Sequence, residues 1–458
     1  MLEQKAFLQA ACRNVHALLD GVLRFEYASH IDEAVFLTLQ KRIFHLEKSL
    51  SEADIQALAG IATDLAKVAE TVALAEKSHV GEFSWAFVHY FAELANKAWT
   101  NSPAAALTDG AKTADSDAQK KTAAQVAELN KVHFFFSSNS SLYNYLVHRE
   151  KRGNDQGGAK IFNVQFPRAF KESVLLHGLL AHEIGHALID INRDKWASVI
   201  ETTFAGSPLK ITKSHDLTDE MAAPPIAASW VRSWTNQQTQ VTRGNIGTIS
   251  EEVFCDVVGL LLIGPAFIFA LAQLLWSVQP IDQGKAQLPS YPPFRVRLAT
   301  LLDATRQLGW DKSIETNAWV AIEPYGYSNA GDGQQLFTIP QIQGLLSKLD
   351  AALPKEVRYP GPDRTAIEAV KKALLDRIPP GTTTLFKNSD NKIVLNAVGI
   401  NFRDLLLAGW EVVATPQLSG SRIEESASWP AKFKQVNQLC EKGLANLIAA
   451  KSMNGVMP

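Results

Sequence analysis

Cysteine is scarce in this 458-residue chain: three residues, Cys12, Cys255 and Cys440, in no pairing pattern. An odd, sparse set excludes a disulfide scaffold and fits a reducing compartment, so a cytoplasmic location is expected. Charge of one sign is also missing. Forty-five basic and 47 acidic side chains nearly cancel, and no Lys/Arg run marks a nucleic-acid partner. There is no G-x-x-x-x-G-K-[ST] phosphate loop and no G-x-S-x-G nucleophile turn, so nucleotide hydrolysis and serine-hydrolase chemistry have no carrier. Glu3, Lys5 and Arg13 interrupt any apolar leader at the start of the chain. A single stretch, 257–281, lacks charged side chains over a length that would cross a bilayer. Gly264-Pro265 breaks it, and proline suits the first turn of a new helix. Two consecutive core helices, about 250–263 and 265–277, are therefore expected, and probable membrane contact is not.

What is present is His182-Glu183-Ile184-Gly185-His186, in a mostly apolar, proline-free run from Leu175 to Ile189. Chance would produce such a match in a chain of this composition roughly once in a hundred. On a helix the histidines at i and i+4 leave one face and can grip one metal ion. Glu183 places a carboxylate beside that ion, where it can take a proton from a metal-activated water. Two ordinary histidines on a solvated edge are the plainer alternative. The apolar surroundings weigh against it, because buried imidazoles and a buried carboxylate need partners. His177 leaves a different face and reads as structural.

A catalytic zinc site takes a third protein ligand and keeps one open position. The extended motif H-E-x-x-H-x-x-G-x-x-H is excluded, since Ile189 and Asn192 stand at its last two positions. The best source is Ser250-Glu251-Glu252-Val253-Phe254-Cys255-Asp256. Glu252 and Asp256 share a helical face: Glu252 completes the zinc ligands, and Asp256 accepts the spare ring N–H of a ligand histidine. Ser250 as a cap, with Glu251 and Glu252 in the first turn, would explain those two acids but not Asp256 inside the apolar run. Glu251 is the main rival ligand; His215 and Asp216 are weaker ones. Cys255 is placed to ligate, although a small buried thiol is the simpler reading.

H-E-x-x-H followed by a separate E-x-x-x-D resembles the glutamate-type zincins, the thermolysin-like metallopeptidases. The text Leu180 to Ala187, with its wide gap before the glutamate, is similar to the CAAX prenyl endopeptidase family and its soluble bacterial relatives. That family carries a later T-H-P-P-x-x-x-R-I element, and Ser290-Tyr291-Pro292-Pro293-Phe294-Arg295-Val296-Arg297-Leu298 stands in the matching place. Arg297 falls on the family arginine, whereas Tyr291 replaces the family histidine. The resemblance implies catalytic roles for Tyr291 and Arg297 in holding substrate or stabilising the oxyanion; a rigid turn with a solvated arginine is the plain alternative. Tyr325 and Tyr327 are other possible donors. The resemblance covers only these three segments.

The rest of the chain reads as helical over 1–100, with apolar recurrence through Phe7, Leu8, Cys12, Val15, Leu18, Leu19 and Val22, then over 55–73 and 83–99. Residues 101–130 read as linker. Val132–Ser138 and Ile161–Phe166 read as strands, and the resemblance to zincins implies for the second the role of an edge strand that pairs with a peptide, with an ordinary sheet strand as the plain alternative. Residues 200–248 read as an insertion with structure of its own or a lid. Residues 303–349 read as mixed and turn-rich. A hairpin over 382–386 and 392–395 and a helix over 431–451 close the chain. The expectation is a mainly helical α+β protein with helical flanks, a zincin-like catalytic region over 131–350 and a C-terminal α/β region over 351–458. It would use zinc to hydrolyse a peptide or protein substrate. The alternatives are a catalytically silent scaffold and a membrane-associated processing peptidase.

Overall fold

A computed structural model describes residues 2–23, 31–76, 84–100, 132–139, 145–149, 160–191, 193–204, 249–278, 294–326, 338–381, 385–387, 393–395, 400–415 and 429–456. Contacts divide the chain into two compact units, 1–172 and 173–458. The region expected to be catalytic, 131–350, straddles that division. The architecture is mainly helical with small sheets, as expected.

The first unit holds α1 (Leu2–Val22), α2 (Ile31–Glu52), α3 (Ile55–Glu76) and α4 (Trp85–Thr100). Leu8, Cys12, Val15 and Leu19 of α1 are buried against Phe36, Leu39 and Ile43 of α2 and Leu58, Leu65 and Val68 of α3. Phe7 and Leu18, one position off this stripe, are exposed. A fully buried leucine or phenylalanine contributes roughly 2 kcal/mol, so the stripe's phase decides how the helices associate.

The sheet of this unit contains β1 (Val132–Asn139), β2 (Leu146–Arg149) and β3 (Lys160–Pro167), in the order β1-β3-β2. β3 runs parallel to β1 and antiparallel to β2. Alternation puts Phe134 and Phe136 of β1 on the same face as Phe162, Val164 and Phe166 of β3, all buried. The edge-strand expectation for 161–166 is therefore corrected. Both backbone edges of β3 are already bonded, and it has no free edge to offer a peptide.

The second unit is built on α5 (Leu180–Ile191), α6 (Arg193–Phe204), α7 (Ile249–Ile263), α8 (Ala266–Val278) and α9 (Phe294–Gln307). It continues with α10 (Thr316–Gly326), α11 (Ile339–Ala352), α12 (Arg364–Leu375), the hairpin β4 (Leu385–Lys387) and β5 (Ile393–Leu395), α13 (Phe402–Ala414) and α14 (Trp429–Val456). The predicted break at Gly264-Pro265 is present. Gly264 sits at φ +81°, and a Cβ there would lie 2.4 Å from the Tyr359 ring, so only glycine fits. Among the described residues no helix is long and apolar enough to cross a membrane. α7 and α8 are instead buried nearly all round as core helices.

Residues 303–349 are more helical than their turn-like composition suggests. Gln341 Oε1 accepts the Thr338 backbone N–H at 2.9 Å, and Pro340 occupies the first turn of α11; both are start signals.

Candidate functional site

α5 is held at its entry. A single 3-10 turn, His177–Leu179, leads into it. Just upstream, the Leu175 carbonyl accepts from Trp410 Nε1 at 3.1 Å, and its N–H donates to Asn437 Oδ1 at 3.2 Å. His177 is fully buried and away from the cluster at Asp256 and Glu252. Along its length α5 lies close against α7, and Gly185 makes this possible. A Cβ at Gly185 would sit 2.7 Å from the Cys255 Cα, a backbone atom that cannot swing away.

That approach turns His182 and His186 toward Glu251, Glu252 and Asp256. His182 Nδ1 donates to Asp256 Oδ1 at 2.9 Å, and His186 Nδ1 donates to Glu251 Oε1 at 3.1 Å. A carboxylate can only accept, so each partner fixes a proton on Nδ1 and turns Nε2 toward the other imidazole. The two Nε2 atoms are 3.1 Å apart. Glu252 completes the triangle: Oε2 is 3.2 Å from His182 Nε2, and Oε1 is 3.5 Å from His186 Nε2. A proton can bridge one of these gaps but not all three.

A cation fits better. Tetrahedral zinc with bonds of about 2.0–2.1 Å sets its nitrogen and oxygen ligands roughly 3.3 Å apart, close to all three spacings. Charge points the same way. Glu183, Glu251, Glu252 and Asp256 are 7%, 9%, 8% and 1% exposed, and the one guanidinium among them is that of Arg297. Glu251 Oε2 and Glu252 Oε2 are buried without a hydrogen-bond partner. Four buried carboxylates against one arginine leave negative charge that burial makes costly.

The titration behaviour reflects that excess. Burial disfavours a charged His182, but hydrogen bonds and charges from Asp256 and Glu252 outweigh it and raise the imidazole to about 10. Burial would also raise Asp256, yet Arg297 and then His182 hold it down to about 2. Glu252 is likewise lowered against its burial, by His182, Arg297 and His186. Glu183 goes the other way: burial raises it, opposed by the histidines. No hydrogen bond occupies its carboxylate among the described residues, as a base awaiting a proton requires.

The structure therefore brings together His182, Glu183, His186, Glu252 and Asp256, the residues read from the two motifs. Glu251, considered above as a rival ligand, sits on the Nδ1 side of His186. Arg297 reaches the cluster from α9: Nε and Nη2 each donate to Asp256 at 2.7 Å, and Nη2 lies 3.9 Å from Glu252 Oε2. Its guanidinium thus steadies the carboxylate that steadies His182. Spacing pointed to the link between Asp256 and a histidine but gave no sign that Arg297 stands behind Asp256. Tyr291, Tyr327, His215 and Asp216 lie outside the described residues. Tyr325 falls in the last turn of α10.

Cys255 also belongs to the neighbourhood. Its thiol can be grouped with His182 and His186, the ligand atoms lying within 4.8 Å of one another. Glu252 could hold a metal ion with the two histidines as well, since one of its oxygens lies 3.2 Å from His182 Nε2 and the other 3.5 Å from His186 Nε2. Burial and then the surrounding carboxylates push the thiol pKa well up, away from the thiolate that metals bind. No protein-family model, no curated protein and no solved structure matches this chain.

Proposed function

We propose that the chain is a zinc-dependent peptidase of the glutamate-type zincin kind, with His182, His186 and Glu252 holding the ion. The observation that carries this reading is the convergence of the two Nε2 atoms, 3.1 Å apart, on the Glu252 carboxylate, one oxygen 3.2 Å from His182 and the other 3.5 Å from His186, with each imidazole fixed from behind by a carboxylate. Two imidazoles and one carboxylate form a borderline donor set that suits zinc and leaves one position open. When bound, zinc supplies a Lewis acid for the scissile carbonyl and brings the pKa of water down to about 7.

The chain's own residues supply the rest. Glu183 takes the proton from the attacking water and passes it to the departing amine nitrogen. Burial lifts its pKa toward the working range of a general base, while His182 and His186 keep it from rising further. Asp256 and Glu251 keep both imidazoles in the tautomer that presents Nε2. Arg297 is a positioning residue through Asp256, and Tyr291 is the candidate donor to the oxyanion.

The test is metal analysis of the purified protein together with cleavage of an unfolded protein substrate. The expectation is one zinc per chain and chelator-sensitive cleavage. Glu183→Gln should keep the zinc and lose about 10²–10⁴-fold in turnover. Zinc-loaded protein that cuts nothing, or a Glu183→Gln protein that cuts as well as its parent, would refute the peptidase reading.

A further inference from the structure

Cys255 lies on α7 three residues after Glu252 and one before Asp256, both of which face the histidines. It is fully buried. Gly185 lets it come so close: a side chain there would meet the Cys255 Cα, Cβ and Sγ at 2.7, 2.9 and 3.0 Å. The thiol is thereby pressed into the turn of α5 between His182 and His186, and the three ligand atoms fall within 4.8 Å of one another. Glu252 Oε2, buried and without a hydrogen bond, borders the same space.

Two ligand sets therefore share one pair of imidazoles. The first adds the hard oxygen of Glu252 and the second the soft sulfur of Cys255. We propose that the site has a second coordination mode, in which a thiophilic cation of the cadmium(II) class is held by His182, His186 and Cys255. Soft cations prefer thiolate, whereas borderline zinc accepts imidazole with carboxylate. A zinc–sulfur bond of about 2.3 Å calls for nitrogen–sulfur spacings of about 3.6 Å, and the larger cadmium(II) ion calls for wider ones, nearer the 4.8 Å within which the three ligand atoms lie. Binding in this mode releases the thiol proton to solvent and leaves Glu252 free to face Arg297. Cys12 and Cys440, the other buried thiols, are not grouped with the histidines among the described residues.

This inference rests on the metal reading above, and the experiment separates the two. Full-length protein is loaded with cadmium(II) alone, then with zinc(II) alone. Cadmium-loaded protein should show a near-ultraviolet sulfur-to-metal charge-transfer band and a low-field cadmium-113 resonance. Cys255→Ser should abolish the band and move the resonance upfield, while Cys12→Ser and Cys440→Ser leave both in place. The preference for cadmium over zinc should fall in Cys255→Ser by more than the roughly ten- to hundredfold that outer partners are worth, because a direct ligand is lost. Cadmium-loaded parent protein without the band and the low-field resonance would overturn the second mode and leave the zinc reading intact. That measurement needs no variant, so a misfolded Cys255→Ser cannot obscure it. If neither ion binds the parent protein, the zinc reading fails first and this mode fails with it.

Discussion

Two of the clusters of buried charge among the described residues of the second unit are built on opposite principles. Around Glu411 the charges close on themselves. Arg364 Nη1 donates to both Glu411 oxygens at 2.7 and 2.9 Å, the Glu315 N–H donates at 2.9 Å, and Lys371 Nζ stands 3.3 Å away. Lys371 also pairs with Glu315 and with Glu368, and Arg364 pairs with Glu368. Three acids meet two bases, and the fully buried Glu411 has donors on both oxygens. The cluster at His182 gathers four acids against one arginine and leaves two carboxylate oxygens unbonded. The first cluster needs nothing from outside. The second would be balanced by a divalent cation, as the proposed function requires.

The contrast can be broken most directly at Glu252. Glu252→Ala should lower zinc affinity well beyond the roughly ten- to hundredfold that outer partners are worth. Equilibrium dialysis against zinc measures this, and full zinc content in the variant would move the third ligand to Glu251 or to residues 205–248. The same substitution removes one surplus negative charge, so metal-free Glu252→Ala should be no less stable than metal-free parent protein. Removing the ion from the parent should itself lower stability by about 4 kcal/mol when zinc had been present at a thousand times Kd. Thermal unfolding with and without chelator reads both.

Glu411→Ala should behave oppositely. It strips the shared acceptor from Arg364 and Lys371 and leaves the buried Lys371 facing fewer carboxylates. About 3 kcal/mol of stability should be lost, the lower end for a broken buried pair because Arg364 is one-third exposed. Zinc stoichiometry of the folded protein should not change. A Glu411 variant that unfolds normally but sheds zinc would erase the distinction between the clusters.

The sequence exposes these clusters unequally, for a physical reason. His182 and His186 are legible because helical periodicity brings them to one face, Glu183 because it follows the first histidine in the motif, and Glu252 with Asp256 obeys the same periodicity on α7. The Glu411 lock joins positions 315, 364, 371 and 411, which no local spacing relates. Glu251 is hidden in the same way: which of Glu251 and Glu252 stands beside the two Nε2 atoms depends on how α7 is rotated against α5, which packs closest at Gly185. At the level of fold, the breaks and start signals are readable, as at Gly264-Pro265. α13 is not, because its residues 402–413 are buried on every side, charged Arg403, Asp404 and Glu411 included, so its polarity does not mark a solvent face. The call of β3 as an edge strand failed because its parallel partner β1 lies earlier in the chain beyond another strand, and strand order is a long-range property.

The smallest expected effect sharpens the comparison most, since it concerns the one cation inside the unbalanced cluster. If Arg297 acts through Asp256, Arg297→Met frees the Asp256 carboxylate, loosens its grip on His182 Nδ1 and weakens zinc binding by about tenfold, with Asp256→Asn at or above that size. The two losses should not add, because both act through the same hydrogen-bonded chain. At saturating zinc, Arg297→Met should then regain its turnover with KM little changed. A direct hold on substrate or oxyanion predicts the reverse, with zinc affinity kept and kcat/KM lowered even when every site is filled. A double-mutant cycle on zinc affinity, read beside KM and kcat at full metal loading, decides between the two. The bidentate 2.7 Å contacts to Asp256 favour the first outcome.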